Sequence, residues 1–181
     1  ELWVTDGTVG GTSQVYTQAS TSDFDDNFAL VALGETALFE ANDSTASRGL
    51  FAVSASGALV QLLSGRQGFF ALQPSALTVA GSRAFFSGYD SSGRQGLWAT
   101  DGTVAGTQAL YHNASNVALA PSAITAVGDA VVFQGRDDSG ALSLYWSDGT
   151  AAGTRKLVSG QFGQTTVSPN FTALGGKALF V

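Results

Sequence analysis

The chain contains no cysteine and no methionine. Without cysteine there can be no disulfide, no thiolate metal site and no thiol nucleophile. The joint absence also removes the two most readily oxidised side chains, a habit that suits an extracellular or cell-surface setting. Charge is scarce as well: 12% of residues are charged, with 8 Lys+Arg against 14 Asp+Glu and a net charge of -6. Nucleic acid and anionic membrane surfaces both select basic patches, so neither is an expected partner. No apolar run approaches the length that spans a bilayer. Helical periodicity of useful length is missing too, because the apolar runs are short and end at Gly or polar turn residues. There are only 3 prolines. The sequence shows neither an initiator Met nor a signal peptide, so the expectation is a processed, excised or truncated chain.

What is present is repetition. The 181 residues are 44% hydrophobic and include 23 glycines, enough for a core and for many tight turns. Leu2-Trp3-Val4-Thr5-Asp6-Gly7-Thr8 with Gly11-Thr12 returns as Leu97-Trp98-Ala99-Thr100-Asp101-Gly102-Thr103 with Gly106-Thr107. It returns again as Leu144-Tyr145-Trp146-Ser147-Asp148-Gly149-Thr150 with Gly153-Thr154. A worn copy stands at Leu50-Phe51-Ala52-Val53. Gly34, Gly81, Gly128 and Gly175 are spaced by 47 residues, and so are Phe39, Phe86, Phe133 and Phe180. A period of this length marks one supersecondary unit used repeatedly.

The unit from Pro74 to Asn113 reads as four short strands, each bounded by turn residues. Four antiparallel strands per repeat of this size is the blade of a β-propeller. The expected fold is therefore all-β, one propeller domain over 1–181 with four blades, either a closed ring with one loop missing or a window from a longer array whose neighbours supply the missing strands. The repeats fall at about 1–23, 24–70, 71–117 and 118–164, and 165–181 completes the first blade by pairing its strand with Leu2-Trp3-Val4-Thr5. The first strand of each unit (28–33, 76–80, 123–127, 171–174) is continuously apolar or small, which predicts burial on both faces along the axis. Thr78, Thr125 and Thr172 add hydroxyls there. The recurrent Phe is predicted to pack between neighbouring blades.

The Asp-Gly-Thr turn has a mechanical reading: Asp and Thr bond the local backbone, and Gly accepts positive φ. Asp6, Gly7, Thr8, Asp101, Gly102, Thr103, Asp148, Gly149 and Thr150 are thus expected as structural turn residues. Copy two replaces the turn with the shorter Ser54-Ala55-Ser56-Gly57.

The stretch Glu1-Leu2-Trp3-Val4-Thr5-Asp6-Gly7-Thr8, with its later copies, resembles the ELWxxDGT repeat of large bacterial and marine surface or secreted proteins. Gly96 and Ser143 depart from it by replacing the Glu. The resemblance covers nearly the whole chain and implies a binding or scaffolding module. The Asp turn also resembles the Asp-box hairpin of sialidase-type propellers, without that box's full pattern.

Loops after the second and fourth strands of a blade share one face. Asp43, Asp90 and Asp137 lie there with Asn42, Asp138 and the run Asp23-Phe24-Asp25-Asp26-Asn27. Carboxylates with Asn and Ser oxygens are hard-cation chemistry, so Asp43, Asp90 and Asp137 are metal candidates, with Ca²⁺ the fitting ion; the competing reading has each Asp bonding its own loop. Tyr89, Tyr111, Arg94 and Arg136 are candidate ligand-binding residues on the same face, with His112, Arg66, Phe69, Phe70 and Phe162 beside them. Aromatics next to polar groups are what a glycan- or protein-binding surface uses. No Ser/His/Asp set, arginine cluster or phosphate loop is evident, so the expectation is a non-catalytic module with no required cofactor. Its partners would be a protein, a glycan or neighbouring copies in an assembly. The alternatives are a calcium-assisted lectin and a glycoside-acting enzyme. Asn42, Asn113 and Asn170 head glycosylation-type triplets.

Overall fold

The computed structural model describes residues 1–17, 29–44, 47–67, 70–115, 117–159 and 170–180. All of its regular structure is strand. In chain order the strands are β1 (Leu2–Val4), β2 (Ser13–Tyr16), β3 (Leu30–Leu33), β4 (Thr36–Asn42), β5 (Arg48–Ser54), β6 (Leu59–Leu63), β7 (Arg66–Gln67), β8 (Phe70–Ala71) and β9 (Ser75–Ala80). Then follow β10 (Arg83–Tyr89), β11 (Gln95–Thr100), β12 (Gln108–Tyr111), β13 (Ser122–Val127), β14 (Ala130–Arg136), β15 (Leu142–Ser147), β16 (Arg155–Ser159), β17 (Thr172–Leu174) and β18 (Lys177–Leu179). They form three four-stranded antiparallel meanders, β3–β6, β9–β12 and β13–β16. Two-stranded sheets β1–β2 and β17–β18 stand at either end, and the small pair β7–β8 lies between the first two meanders.

The first two strands of each unit are joined by a two-residue turn that opens on the recurrent glycine, so Leu33 faces Thr36, Ala80 faces Arg83, Val127 faces Ala130 and Leu174 faces Lys177. The φ there is 58° at Gly34 and Gly81, 63° at Gly128 and 54° at Gly175. Positive φ at this position matches the turn to the strands' right-handed twist.

The sheets pack in chain order. Phe39 packs with Phe51 and Val53 against Leu2, Val15 and Tyr16. Phe86 belongs to the cluster that holds Leu33, Leu38 and Leu50 of the sheet before it, and Phe133 to the cluster that holds Phe85, Leu97 and Leu110. All three rings are 0% exposed. Each also stacks on the residue opposite it in the next strand: Phe39 on Phe51 with centroids 5.6 Å apart, Phe86 on Trp98 at 6.0 Å, Phe133 on Tyr145 at 5.1 Å. One aromatic pair per sheet thus fills the gap to the preceding sheet.

Two expectations change. The first strands are not buried on both faces: β3, β9 and β13 are largely half-buried or exposed, whereas the second and third strands are buried almost throughout. The first strand is a sheet edge, while the second and third are flanked within their own sheet and covered by sheets on both sides. The four-stranded sheet expected from the chain's two ends is also not formed: β1–β2 and β17–β18 remain separate two-stranded sheets. The first strands do lie side by side, β3 by β9, β9 by β13 and β13 by β17. The Thr78 hydroxyl donates across one such junction to the Ile124 carbonyl at 3.1 Å. Ala76 and Ala123 take φ of 58° and 51° in bulges of β9 and β13, an unusual conformation for alanine.

Candidate functional site

The three Asp-Gly-Thr turns are built alike. Asp6 Oδ1 accepts from the Thr8 amide at 2.9 Å and the Thr8 hydroxyl at 2.7 Å. That hydroxyl in turn accepts from the Gly11 amide at 2.9 Å, and the Thr12 hydroxyl donates to the Thr8 carbonyl at 2.6 Å. The same bonds recur around Asp101 with Thr103, Gly106 and Thr107, and around Asp148 with Thr150, Gly153 and Thr154. Thr5, Thr100 and Ser147 close each turn by bonding the hydroxyls of Thr12, Thr107 and Thr154 at 2.7 Å. The hydroxyl and amide bonds from the following Thr hold the carboxyls of Asp6, Asp101 and Asp148 below the ordinary range. Gly7, Gly102 and Gly149 have φ of 90°, 90° and 84°. The later glycine of each copy is needed for another reason: a Cβ on Gly11, Gly106 or Gly153 would collide with the carboxylate of Asp6, Asp101 or Asp148. These bonds lie within each turn; the Asp148 carbonyl also accepts from the Arg83 guanidinium of the neighbouring sheet at 3.0 Å. In copy two the Gly57 amide bonds the Ser54 carbonyl at 2.9 Å, and the shorter turn closes without the Asp.

Asp90 bonds within its own loop, whereas Asp43 and Asp137 also reach the last strand of their sheets or the residues after it. Asp90 accepts from the Ser92 and Arg94 amides at 2.8 and 3.0 Å and pairs with the Arg94 guanidinium at 2.8 Å. Burial raises its pKa and these bonds more than offset that. Asp137 accepts from Ser139, Ala141, Ser143 and the Lys156 ammonium, so Ser139 first and Lys156 second hold its carboxyl well down. Asp43 accepts from the Ser64 hydroxyl and Gly65 amide, both at 2.8 Å, and from Gln61 at 3.3 Å. Among the described residues no three His, Asp or Glu side chains gather as a metal set.

Of the ligand-binding candidates, Arg94 is engaged with Asp90 and Arg136 donates to the Gly140 carbonyl at 3.0 Å. Tyr111 is half-buried and sits 5.7 Å from the Tyr145 ring, across the junction between two sheets. Tyr89 is half-buried at the end of β10, where its amide donates to the Leu72 carbonyl at 2.8 Å. Nδ1 of His112 lies 2.9 Å from the Asn113 carbonyl oxygen. Asp138 accepts from the Ser115 amide at 2.9 Å. Asp23, Asp25, Asp26, Asn27, Phe69 and Phe162 lie outside the described residues, as do the side chains of Arg66 and Phe70.

No protein-family model matches the chain, and no curated protein matches it. Among solved structures, it is similar to the putative TolB from Agrobacterium tumefaciens, with a TM-score of 0.44 and 16% identity over 71% of this chain and 48% of that one. The chain spans about half the length of that protein.

Sequence reasoning missed two features. One is Glu40, at the second-strand position that Ser87 and Gln134 hold in the other units. Its side chain is 7% exposed and 3.8 Å from Arg48. Burial raises its pKa to about 7, with Arg48 opposing. The place of Glu40 among apolar residues of β4 was the available signal. The other is an apolar cleft of about 350 Å³ between β1–β2 and β3–β6, lined by Leu2, Trp3, Val4, Leu30, Ala37 and Val53 among others. No charge pattern marks it, because it is made by what is not packed against β1.

Proposed function

We propose that this chain is a non-catalytic β-propeller module, secreted or displayed at a cell surface, that serves protein–protein interaction or structural assembly. The three complete sheets are blades, and β17–β18 with β1–β2 supply the four strands of a further one. The observation that carries the reading is the interface repeated at Phe39, Phe86 and Phe133, a geometry built for serial stacking of one unit. The loop-face chemistry supports it: the carboxylates of Asp43, Asp90 and Asp137 are each spent on bonds within their own sheet and its loops. A general acid–base pair needs carboxyls held facing a substrate. The lack of Cys and Met suits an oxidising compartment.

Sedimentation velocity across a concentration series, run beside a glycan array with and without chelator, tests this. The module reading expects self-association or capture of a protein ligand, and no glycan signal. A saturable, chelator-sensitive glycan signal would replace it with a lectin. Turnover of a glycoside that is lost in an Asp90→Asn, Asp137→Asn variant would replace it with an enzyme.

A further inference from the structure

The chain has three Asp-Gly bonds, Asp6-Gly7, Asp101-Gly102 and Asp148-Gly149, all in the repeated turn, and no Asn-Gly bond. Asp-Gly is a chemically fragile pair, because glycine has no side chain to obstruct attack by its own amide nitrogen on the aspartate Cγ. In that reaction the N–Cγ bond forms and the Cγ–OH bond of the protonated carboxyl breaks. The hydroxyl leaves as water with the amide proton. The resulting succinimide takes up one water at either carbonyl and opens to aspartate or to isoaspartate, whose main chain runs through the former side chain.

In the turn both reacting groups are held. The glycine amides of Gly7, Gly102 and Gly149 donate to the hydroxyls of Thr5, Thr100 and Ser147 at 3.0, 3.0 and 3.1 Å. The direction of the chain beyond is fixed by proton count. The Thr107 hydroxyl gives its one proton to the Thr103 carbonyl, so in the contact between Thr100 and Thr107 the donor is Thr100. Thr100 therefore meets Gly102 with a lone pair. Thr100 and Ser147 are 0% exposed, so water does not compete for these bonds. At the other side the Thr103 hydroxyl and amide bond Asp101 and keep its carboxyl ionised, whereas the leaving oxygen must be protonated. The second copy supplies a contrast. Ser54 and Ala55 stand there in place of Asp-Gly, and the hydroxyl is gone as well: Val53 faces Ala37 as Thr100 faces Ala84.

We propose that the hydroxyl of Thr5, Thr100 and Ser147 is a chemical guard that blocks succinimide closure by engaging the glycine amide, and that Asp101 and Asp148 are latent modification sites that convert to isoaspartate once that bond is lost. Conversion adds a methylene to the main chain at the turn and takes the carboxylate away from the Thr and Gly groups it bonds. The damage reaches the neighbouring sheet. A Cβ placed on Gly102 would lie 3.4 Å from Thr36 Oγ1 of the sheet before it, and the Asp148 carbonyl accepts from Arg83. Serine at 147 shows that the hydroxyl, and not the threonine methyl, is what the position requires.

The test is incubation of the whole chain near neutral pH in water enriched in the heavy oxygen isotope, since each succinimide opening leaves one heavy oxygen on the aspartate. Trypsin then places Asp101 in the peptide 95–136 and Asp148 in 137–155, and fragment masses locate the label. The folded wild type should label both residues at least about tenfold more slowly than the same chain in urea. Thr100→Val should speed labelling of Asp101 about tenfold and leave Asp148 unchanged, so each molecule carries its own control. Thr100→Ser should label as slowly as the wild type. Should Thr100→Val lose the native circular dichroism spectrum, Ser147→Ala makes the same comparison with Asp148 as reporter and Asp101 as control. Equal labelling of Asp101 in the folded wild type and in urea would overturn the guard. So would a folded variant in which the reporter does not rise, or in which both sites rise alike.

Discussion

Replacing Phe133 by Ala should cost far more than replacing Phe180, although the two hold the same place in their units. The Phe133 ring is 0% exposed and stacked 5.1 Å from Tyr145. An aromatic side chain buries roughly 150–250 Å². Its removal leaves a cavity between two sheets that are held by their own hydrogen bonds and cannot easily close. Transfer and cavity contributions together give ~3–5 kcal/mol for Phe133→Ala. The Phe180 ring is 37% exposed at the end of the row and lies edge-on to Phe171 at 5.6 Å. It has less area to lose and no closed cavity to leave, which gives roughly 1–2 kcal/mol for Phe180→Ala. Urea titrations followed by Trp fluorescence and by far-UV circular dichroism would measure both, and coincident transitions would license a two-state treatment. Equal losses for the two variants, or a loss below about 1 kcal/mol at Phe133, would refute the wedge argument.

In the turn, Asp101→Ala should cost about 1–2 kcal/mol, and Gly106→Ala a similar amount because the added methyl displaces the Asp101 carboxylate. The double variant should then cost clearly less than the sum, since both changes break the same bonds; full additivity in thermal unfolding would mean they act separately. Glu40 imposes a pH dependence of definite sign. Its folded pKa, about 7, lies above the ordinary 4.5, so the folded state binds more protons between these values and stability falls as pH rises through that window. Glu40→Gln should therefore add of order 2–3 kcal/mol above pH 7 and almost nothing near pH 4, as read from denaturation midpoints; a gain independent of pH would contradict the assignment. Asp137 acts in the opposite sense. Its lowered pKa contributes stability that is present above the ordinary 3.8 and lost in stronger acid, a loss that Asp137→Asn should abolish. Calcium should leave the thermal midpoint within about 1 °C of its value in chelator if Asp43, Asp90 and Asp137 are the relevant carboxylates, because these three are already bonded; a larger rise would support a metal site.

Much of this fold was legible because its signals are periodic and local. The glycines at 34, 81, 128 and 175 announce hairpins by their conformational freedom alone, and Phe39, Phe86 and Phe133 stand where an interface recurs. The partners of the loop carboxylates were not legible. A ring of Asp spaced by 47 residues reads equally as ligands or as loop caps until the amides are placed. In the structure Asp90 pairs with Arg94 and Asp137 with Lys156, each within its own sheet and loops. Sidedness of the first strands failed for a related reason: an apolar run such as Ala76 to Ala80 records composition, not whether a neighbour covers it. The cleft beside Trp3 was invisible because tertiary packing, and not residue type, distinguishes Trp3 from Trp98.

The central claim is that one unit, rotated by a constant step, builds the molecule. A crystal structure tests it most directly. The account predicts that a single rotation carries β3–β6 onto β9–β12 and, applied again, onto β13–β16, with the rings of Phe39, Phe86 and Phe133 superposed between sheets. Sheets related by unlike rotations, or any of these three rings turned to solvent, would contradict it.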